Sequence, residues 1–429
     1  MTRDALSVPA PPSLLWPLLQ RSDVEVFWVA DGEEADAPGA VRMRPPDVAR
    51  DHVLFETTHA DGRDLRAVSF YSQSQRLAAS TVPPGYDPAR WLGDVLVAQV
   101  AIELRADVLV TSRSTLLSSS ARWITEANAL SAEQALSVVG LYLRHRDEFP
   151  LVGPNVFSFN SGLFRWVGAR ALVPSGWRWM SALIDYGTAL GKDGPVLLAG
   201  SLHERLARAL RHRDVLHTSL LVPQNNTTAD AATEALDTVL VNLVGAFDAA
   251  ARAAHAALGF PMNERRNAAW QREGWRKKVA AADPSLGALF APGTPQRQVL
   301  EVCTILRNTV HGEGLQSIAR QRSGAPQETL VALPEDDAED LVRLFSTLGG
   351  PEAWGIQELP TRGPHVEPAP LVERLLPLAA SALDDALRLT PVDRLAGVDA
   401  ANLMIGPPDD VTFGPGTRAR IGMLLGFSM

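Results

Sequence analysis

Arg307, Asn308 and His311 stand close together in Leu306-Arg307-Asn308-Thr309-Val310-His311-Gly312. A guanidinium can hold a phosphate and stabilise the charge that develops on it, an imidazole can take or give a proton, and an amide can orient either group. Together they suit chemistry on a phosphodiester. Their spacing decides whether they can act as a unit. Val299, Val302, Cys303, Leu306 and Val310 recur at helical intervals over Gln298 to Val310, and on a helix residues four apart share a face. Arg307 and His311 are therefore expected to project together from the last turn, with Asn308 one step around. Gly312 and Gly314 read as the helix stop. The same spacing would arise if Arg307 paired with a carboxylate and His311 capped its own helix end.

The cluster resembles the signature of HEPN domains, four-helix units found in prokaryotic RNases, toxins and defence proteins. In that family an Arg is followed by Asn, Asp or His and then by a catalytic His. The interval between Arg and His is one residue shorter here. The resemblance spans Thr227 to Leu348. It implies that His311 is the acid/base, Arg307 the phosphate ligand and Asn308 the orienting group. It also implies that two protomers meet at a dimer seam to cleave RNA with no metal and no cofactor.

Composition bounds these expectations. The chain has 429 residues, 46% hydrophobic and 21% charged, as in a soluble globular protein with room for two or three domains. No long apolar run predicts a membrane span, and Met1 to Pro12 lacks the apolar core of a signal peptide. Cys303 is the single cysteine, so no intrachain disulfide and no Cys-based metal site is expected. A cytoplasmic location is expected, in which the Asn225-Asn226-Thr227 sequon has no meaning. The net charge of −9 opposes broad non-specific binding to nucleic acid but leaves room for a local basic site. The concentrated basic stretch is Glu264 to Lys278, with Arg265, Arg266, Arg272, Arg276, Lys277 and Lys278 around Trp270 and Trp275. Cations neutralise phosphates and indole faces stack on bases, which marks this stretch for RNA contact. A solvated basic helix with Trp270 buried would read the same way.

The elements that must position these groups predict an α+β chain, mainly α. Residues 1–125 read as an α/β domain with a small parallel sheet: strands at Val24–Val29, Asp64–Tyr71 and Asp107–Thr111, and a helix from Pro88 to Leu104 capped by Asp87. Residues 126–225 read as a helical, aromatic-rich connection. It holds a helix within Asn128–Phe149 that Ser131 can cap, and aromatics Phe157, Phe159, Phe164, Trp166 and Trp177 that either line a pocket or belong to a core. Residues 226–350 read as a HEPN-like helical bundle built on a long helix, Thr228–Leu258. Further helices are expected at Trp179–Leu190, Val196–Arg213, Glu264–Ala282, Gln296–Val310, Glu335–Leu348 and Leu371–Leu389. Residues 351–429 read as a last helix and a loop-rich tail, where Asp409 and Asp410 fit turns better than a metal pair.

Ala106-Asp107-Val108-Leu109-Val110-Thr111-Ser112-Arg113 carries a second resemblance, to the late strand of PIN-type nucleases. Asp107 fits the first acidic position of that strand, but Arg113 stands where the family has a second metal-binding Asp. Asp31 could stand for the family's first Asp. The resemblance implies a degenerate metal site, since an Arg cannot ligate a cation. His203, Glu204, His212 and His217 lack the paired spacing of a helical zinc site. No serine-hydrolase elbow, Gly-Lys-Ser/Thr phosphate loop or dinucleotide fingerprint occurs. The leading expectation is an RNA-directed protein, either a metal-independent endoribonuclease or a nucleic-acid sensor in bacterial defence or stress. The alternatives are a non-catalytic interaction protein and a metal nuclease centred on Asp31 and Asp107.

Overall fold

The computed structural model describes residues 15, 18–19, 21, 23–29, 39–44, 52–59, 61–70, 82, 85–117, 128–152, 156–312, 314–321, 327–359, 362–404 and 417–426. It is a mixed α+β protein in which helix dominates. The chain forms two compact units, one built mainly from residues up to Leu143 and the other mainly from Ser158 to Gly422. No described helix is long and apolar enough to cross a membrane.

The first unit holds a four-stranded sheet of β1 (Trp28–Val29), β2 (Ala40–Arg44), β3 (His52–Thr58) and β4 (Asp64–Phe70), in that spatial order. Only β1 and β2 run parallel; β2 to β4 are antiparallel. The small parallel sheet expected here is thus reduced to that edge pair and a separate two-stranded one. The reason is local: β3 and β4 are joined by a tight turn, His59 N–H to Arg63 O at 2.8 Å, with Gly62 at φ +83°. A direct hairpin can only be antiparallel.

Helix α1 (Pro88–Glu103) starts as the sequence predicts, with the Asp87 carboxylate accepting from Ala89 N–H. Its Trp91, Val95 and Val100 pack with Phe55 and Val41 of the sheet in one buried core. It feeds β5 (Val108–Val110), which pairs in parallel with β6 (Asn128–Leu130). The short α2 (Ser114–Leu117) follows β5. Helix α3 (Ala132–His145) opens on a capping box: Ser131 Oγ accepts from Gln134 N–H, and Gln134 Oε1 accepts from Ser131 N–H. The chain leaves the first unit through α3 and the short strands β7 (Pro150–Val152) and β8 (Val156–Ser158).

The second unit is organised around a 32-residue helix, α7 (Asn226–Ala257), about 48 Å long. Before it come α4 (Ser161–Leu172), α5 (Gly176–Leu190) and α6 (Gly194–Leu220). After it come α8 (Glu273–Ala282), α9 (Pro284–Leu289) and α10 (Pro295–Gly312). Leu236, Val239, Leu240, Leu243 and Phe247 of α7 are wholly or almost wholly buried, each such side chain contributing about 1.5–3 kcal/mol.

Helices α6, α10 and α12 (Pro368–Leu389) pack along α7. The segments read as a connection and a tail therefore enter this unit as structural helices. In the aromatic connection, Phe149 and Phe164 are core residues. Asn225 starts α7 with a reciprocal cap, accepting from Thr228 N–H at 3.1 Å while Thr228 Oγ1 accepts from Asn225 N–H at 2.9 Å. Asn225→Ala is expected to lower stability by about 1 kcal/mol, read as a shifted urea midpoint with unchanged slope.

A second sheet, absent from the sequence reading, joins this unit. Its strands β9 (Ser317–Gln321), β10 (Gln327–Ala332), β11 (Ile356–Leu359) and β12 (Gly363–Val366) are antiparallel in the order β11-β12-β10-β9. Helix α11 (Ala338–Thr347) lies between β10 and β11 in the chain, shorter than expected because residues 335–337 form a 3₁₀ turn. Gln224 ties the turn before α7 to this sheet, accepting from Thr329 Oγ1 at 2.6 Å. The last described helix is α13 (Thr417–Leu425); Asp409 and Asp410 lie outside the described residues.

Candidate functional site

Helix α10 buries Val299, Leu300, Val302, Cys303 and Leu306 against the bundle, so its opposite edge is left for polar groups. Gln296 Nε2 bonds Asp385 of α12 at 3.1 Å, which fixes the start of the helix. At its end Gly314 takes φ +75° and returns its N–H to Thr309 O at 2.9 Å. The predicted stop is therefore formed, and it holds the Arg307–His311 turn in place. Asn308 and His311 are exposed and Arg307 is half-buried. Arg307 Nη1 donates to Asn308 Oδ1 at 3.3 Å, while its Nε is buried with no hydrogen-bond partner.

Among the described residues, neither Arg307 nor His311 is paired with a carboxylate. This distinguishes the cluster from an ordinary surface ion pair. An uncommitted guanidinium beside an exposed imidazole leaves both groups able to engage an added phosphate. His311 stands at the negative end of the helix dipole. An anion approaching there depends on Arg307 for its positive field.

The basic stretch is arranged differently from its sequence reading. Residues 262–267 form a 3₁₀ turn and the α-helix begins only at Glu273, so Glu264–Ala282 is not one helix. Trp270 and Trp275 are 1% and 5% exposed. Trp270 stacks on Phe290 with ring centres 4.4 Å apart, and Trp275 meets it edge-on at 4.7 Å. Burying these indoles outweighs presenting them to solvent, so neither face is open to a base.

The cations are largely committed as well. Arg272 bonds Asn267 at 2.6 Å and Arg276 bonds Trp270 O at 2.7 Å. Lys277 pairs with Glu273 at 2.7 Å and Lys278 with Glu264 at 2.6 Å. Arg265 is half-buried and Arg266 exposed in the 3₁₀ turn. The stretch is a core aromatic cluster with a salt-bridged rim.

Trp275 Nε1–H donates to His255 Nδ1 at 3.2 Å. Since the indole is only a donor, the imidazole proton sits on Nε2, which donates to Pro261 O at 3.0 Å. Trp275→Phe leaves that buried acceptor without a partner. A loss of about 1–2 kcal/mol is expected from denaturant unfolding.

In the first unit Arg113 donates to Asp94, a wholly buried carboxylate of α1, at 2.7 Å. Arg113 is thus held in an ion pair with a buried carboxylate. Asp107 is exposed, and Asp31 lies outside the described residues. Among the described residues no group of three His, Cys, Asp or Glu side chains is placed to hold a metal ion. His203 is buried, and His217 bonds Glu373 at 2.6 Å.

Set against protein-family models, curated proteins and solved structures, the chain gives no significant match.

Proposed function

We propose that the second unit acts on RNA phosphodiesters through Arg307, Asn308 and His311, as a metal-independent endoribonuclease of HEPN type in bacterial defence or stress response. The observation that carries this reading is the uncommitted guanidinium. Arg307 has no carboxylate among the described residues, and it shares the last turn of α10 with an exposed imidazole.

In the reaction, the His311 imidazole takes the proton from a ribose 2′-hydroxyl as that oxygen attacks phosphorus. The phosphorus–5′-oxygen bond breaks, and the leaving oxygen must receive a proton. One imidazole cannot do both in a single step, so a second copy of the chain supplies the acid in a homodimer. Arg307 stabilises the charge on the non-bridging oxygens, and Asn308 holds the guanidinium through its Oδ1. The products are a 2′,3′-cyclic phosphate and a 5′-hydroxyl. Incubation with mixed-sequence RNA in EDTA is expected to give cyclic-phosphate ends while DNA of the same sequence stays intact. Intact RNA in that assay overturns the proposal.

One observation favours a second reading, a non-catalytic interaction protein. The tryptophans of the basic stretch are packed inside the bundle, which removes the stacking surface that an RNA-binding groove would use. A chain that dimerises in solution yet leaves RNA untouched would establish that reading instead.

A further inference from the structure

At the junction of α4, α5 and α6, a buried arginine has no anionic partner among the described residues. Arg170 is 4% exposed. Its guanidinium carbon lies 3.4 Å from the ring centre of Trp166 and 3.5 Å from that of Trp177. The two indoles stand nearly perpendicular, at 79°, and form a corner around the cation. They are themselves half-buried.

The ring faces supply cation–π attraction, but the donor edge of the guanidinium is poorly served. Nη2 donates to Met180 Sδ at 3.0 Å, a weak acceptor. Nε is buried with no partner, and so is the Trp177 indole N–H.

Among the described residues no compensating charge faces Arg170. Burial alone pulls the Arg170 guanidinium down to about 9. Beside it, burial pulls His203 down to about 4, a fall opposed by its bond to Ala199 O and deepened by the Arg170 charge. His203 Nδ1 lies 3.1 Å from Ala199 O, leaving Nε2 buried and unpartnered. Gly176 admits this imidazole, since a Cβ there would come within 2.8 Å of Nε2. An unpaired buried cation is costly, and it is normally paired or ligand-bound.

We propose that Arg170 anchors an oxyanion-binding site. A carboxylate or phosphate group would accept hydrogen bonds from the guanidinium edge and from Trp177 Nε1–H, while Trp166 and Trp177 flank the cation. This site lies apart in sequence from the α10 cluster and does not depend on it.

The test titrates the full chain with sodium phosphate and, separately, sodium acetate, with sodium chloride at matched ionic strength as reference. Tryptophan fluorescence and Tm are read together. At least one oxyanion is expected to give a saturable fluorescence change and a Tm rise beyond that of chloride. A response to phosphate alone assigns a phosphate group, and one to acetate alone a carboxylate. Arg170→Gln, checked for folding by circular dichroism, is expected to lose the response. Arg170→Lys keeps the charge without the planar edge and is expected to bind roughly tenfold more weakly; it carries the comparison if the Gln variant does not fold. A wild-type response no larger than that to chloride, or an unchanged half-saturation in the variants, overturns the proposal.

Discussion

His311→Ala is expected to slow RNA cleavage by roughly 10²–10⁴-fold, the usual contribution of a positioned general acid or base. Arg307→Ala is expected to slow it by roughly 10²–10³-fold, as when one donor to a developing oxyanion is removed. The exposure of His311 makes the first of these predictions clean, because a surface substitution of this kind changes stability by only about 0.5 kcal/mol. Arg307→Lys retains a charge but cannot present two parallel N–H groups, so it should recover only part of the lost rate. The double variant should be little worse than the poorer single one, since groups acting in one transition state are not additive. Cleavage that survives both single substitutions at the wild-type rate sinks the catalytic role of α10. Cleavage that survives them but vanishes in EDTA would instead point to a metal nuclease.

Much of the helical framework was legible because its signals are local. The Asp87, Ser131 and Asn225 caps lie within three residues of the donors they serve, and the stripe of α7 repeats along a single element. The end of α10, with Gly314 in the left-handed region, was readable for the same reason. The second sheet was not. Its strands are short and interrupted by α11, and β9 and β10 carry Arg320 and Glu328 as a cross-strand pair, which dilutes the alternation that marks a strand.

The basic stretch left two readings open for another reason. Its flanking charges mark a solvated face, but the fate of its tryptophans is set by Phe290 and His255, which lie outside the stretch. Local composition therefore described the rim, while the choice between buried and open tryptophans rested on residues outside it. The candidate site itself was half legible. Spacing placed Arg307 and His311 in one turn, whereas the lack of a carboxylate partner among the described residues could only come from the packed bundle.

The same limit applies to the ion cluster that joins α6 to α12, which no sequence spacing announces and which should be a sensitive electrostatic element of the second unit. Arg213 grips Glu373 through Nε and through Nη2 at 2.7 Å, and His217 donates to the same carboxylate at 2.6 Å. Burial pushes the Glu373 carboxyl up, but the hydrogen bonds from His217 and Arg213 and their charges outweigh it and hold the group at about 2, against an ordinary 4.5. Glu373→Gln removes the Glu373 charge from beside the Arg213 guanidinium, whose side chain is only 5% exposed. The expected loss is about 3 kcal/mol, at the low end for a broken buried pair because the carboxylate keeps about a third of its surface in water. The sign with pH follows from the lowered value: a carboxylate that is more acidic in the folded state stabilises it above the ordinary value of 4.5. That contribution is lost as pH falls from 4.5 through about 2, so the gap between wild type and variant should be full at neutral pH and shrink across that window. Urea unfolding of both proteins over this pH range measures it, and a gap that stays constant through the window would show that Glu373 acts by packing rather than by charge.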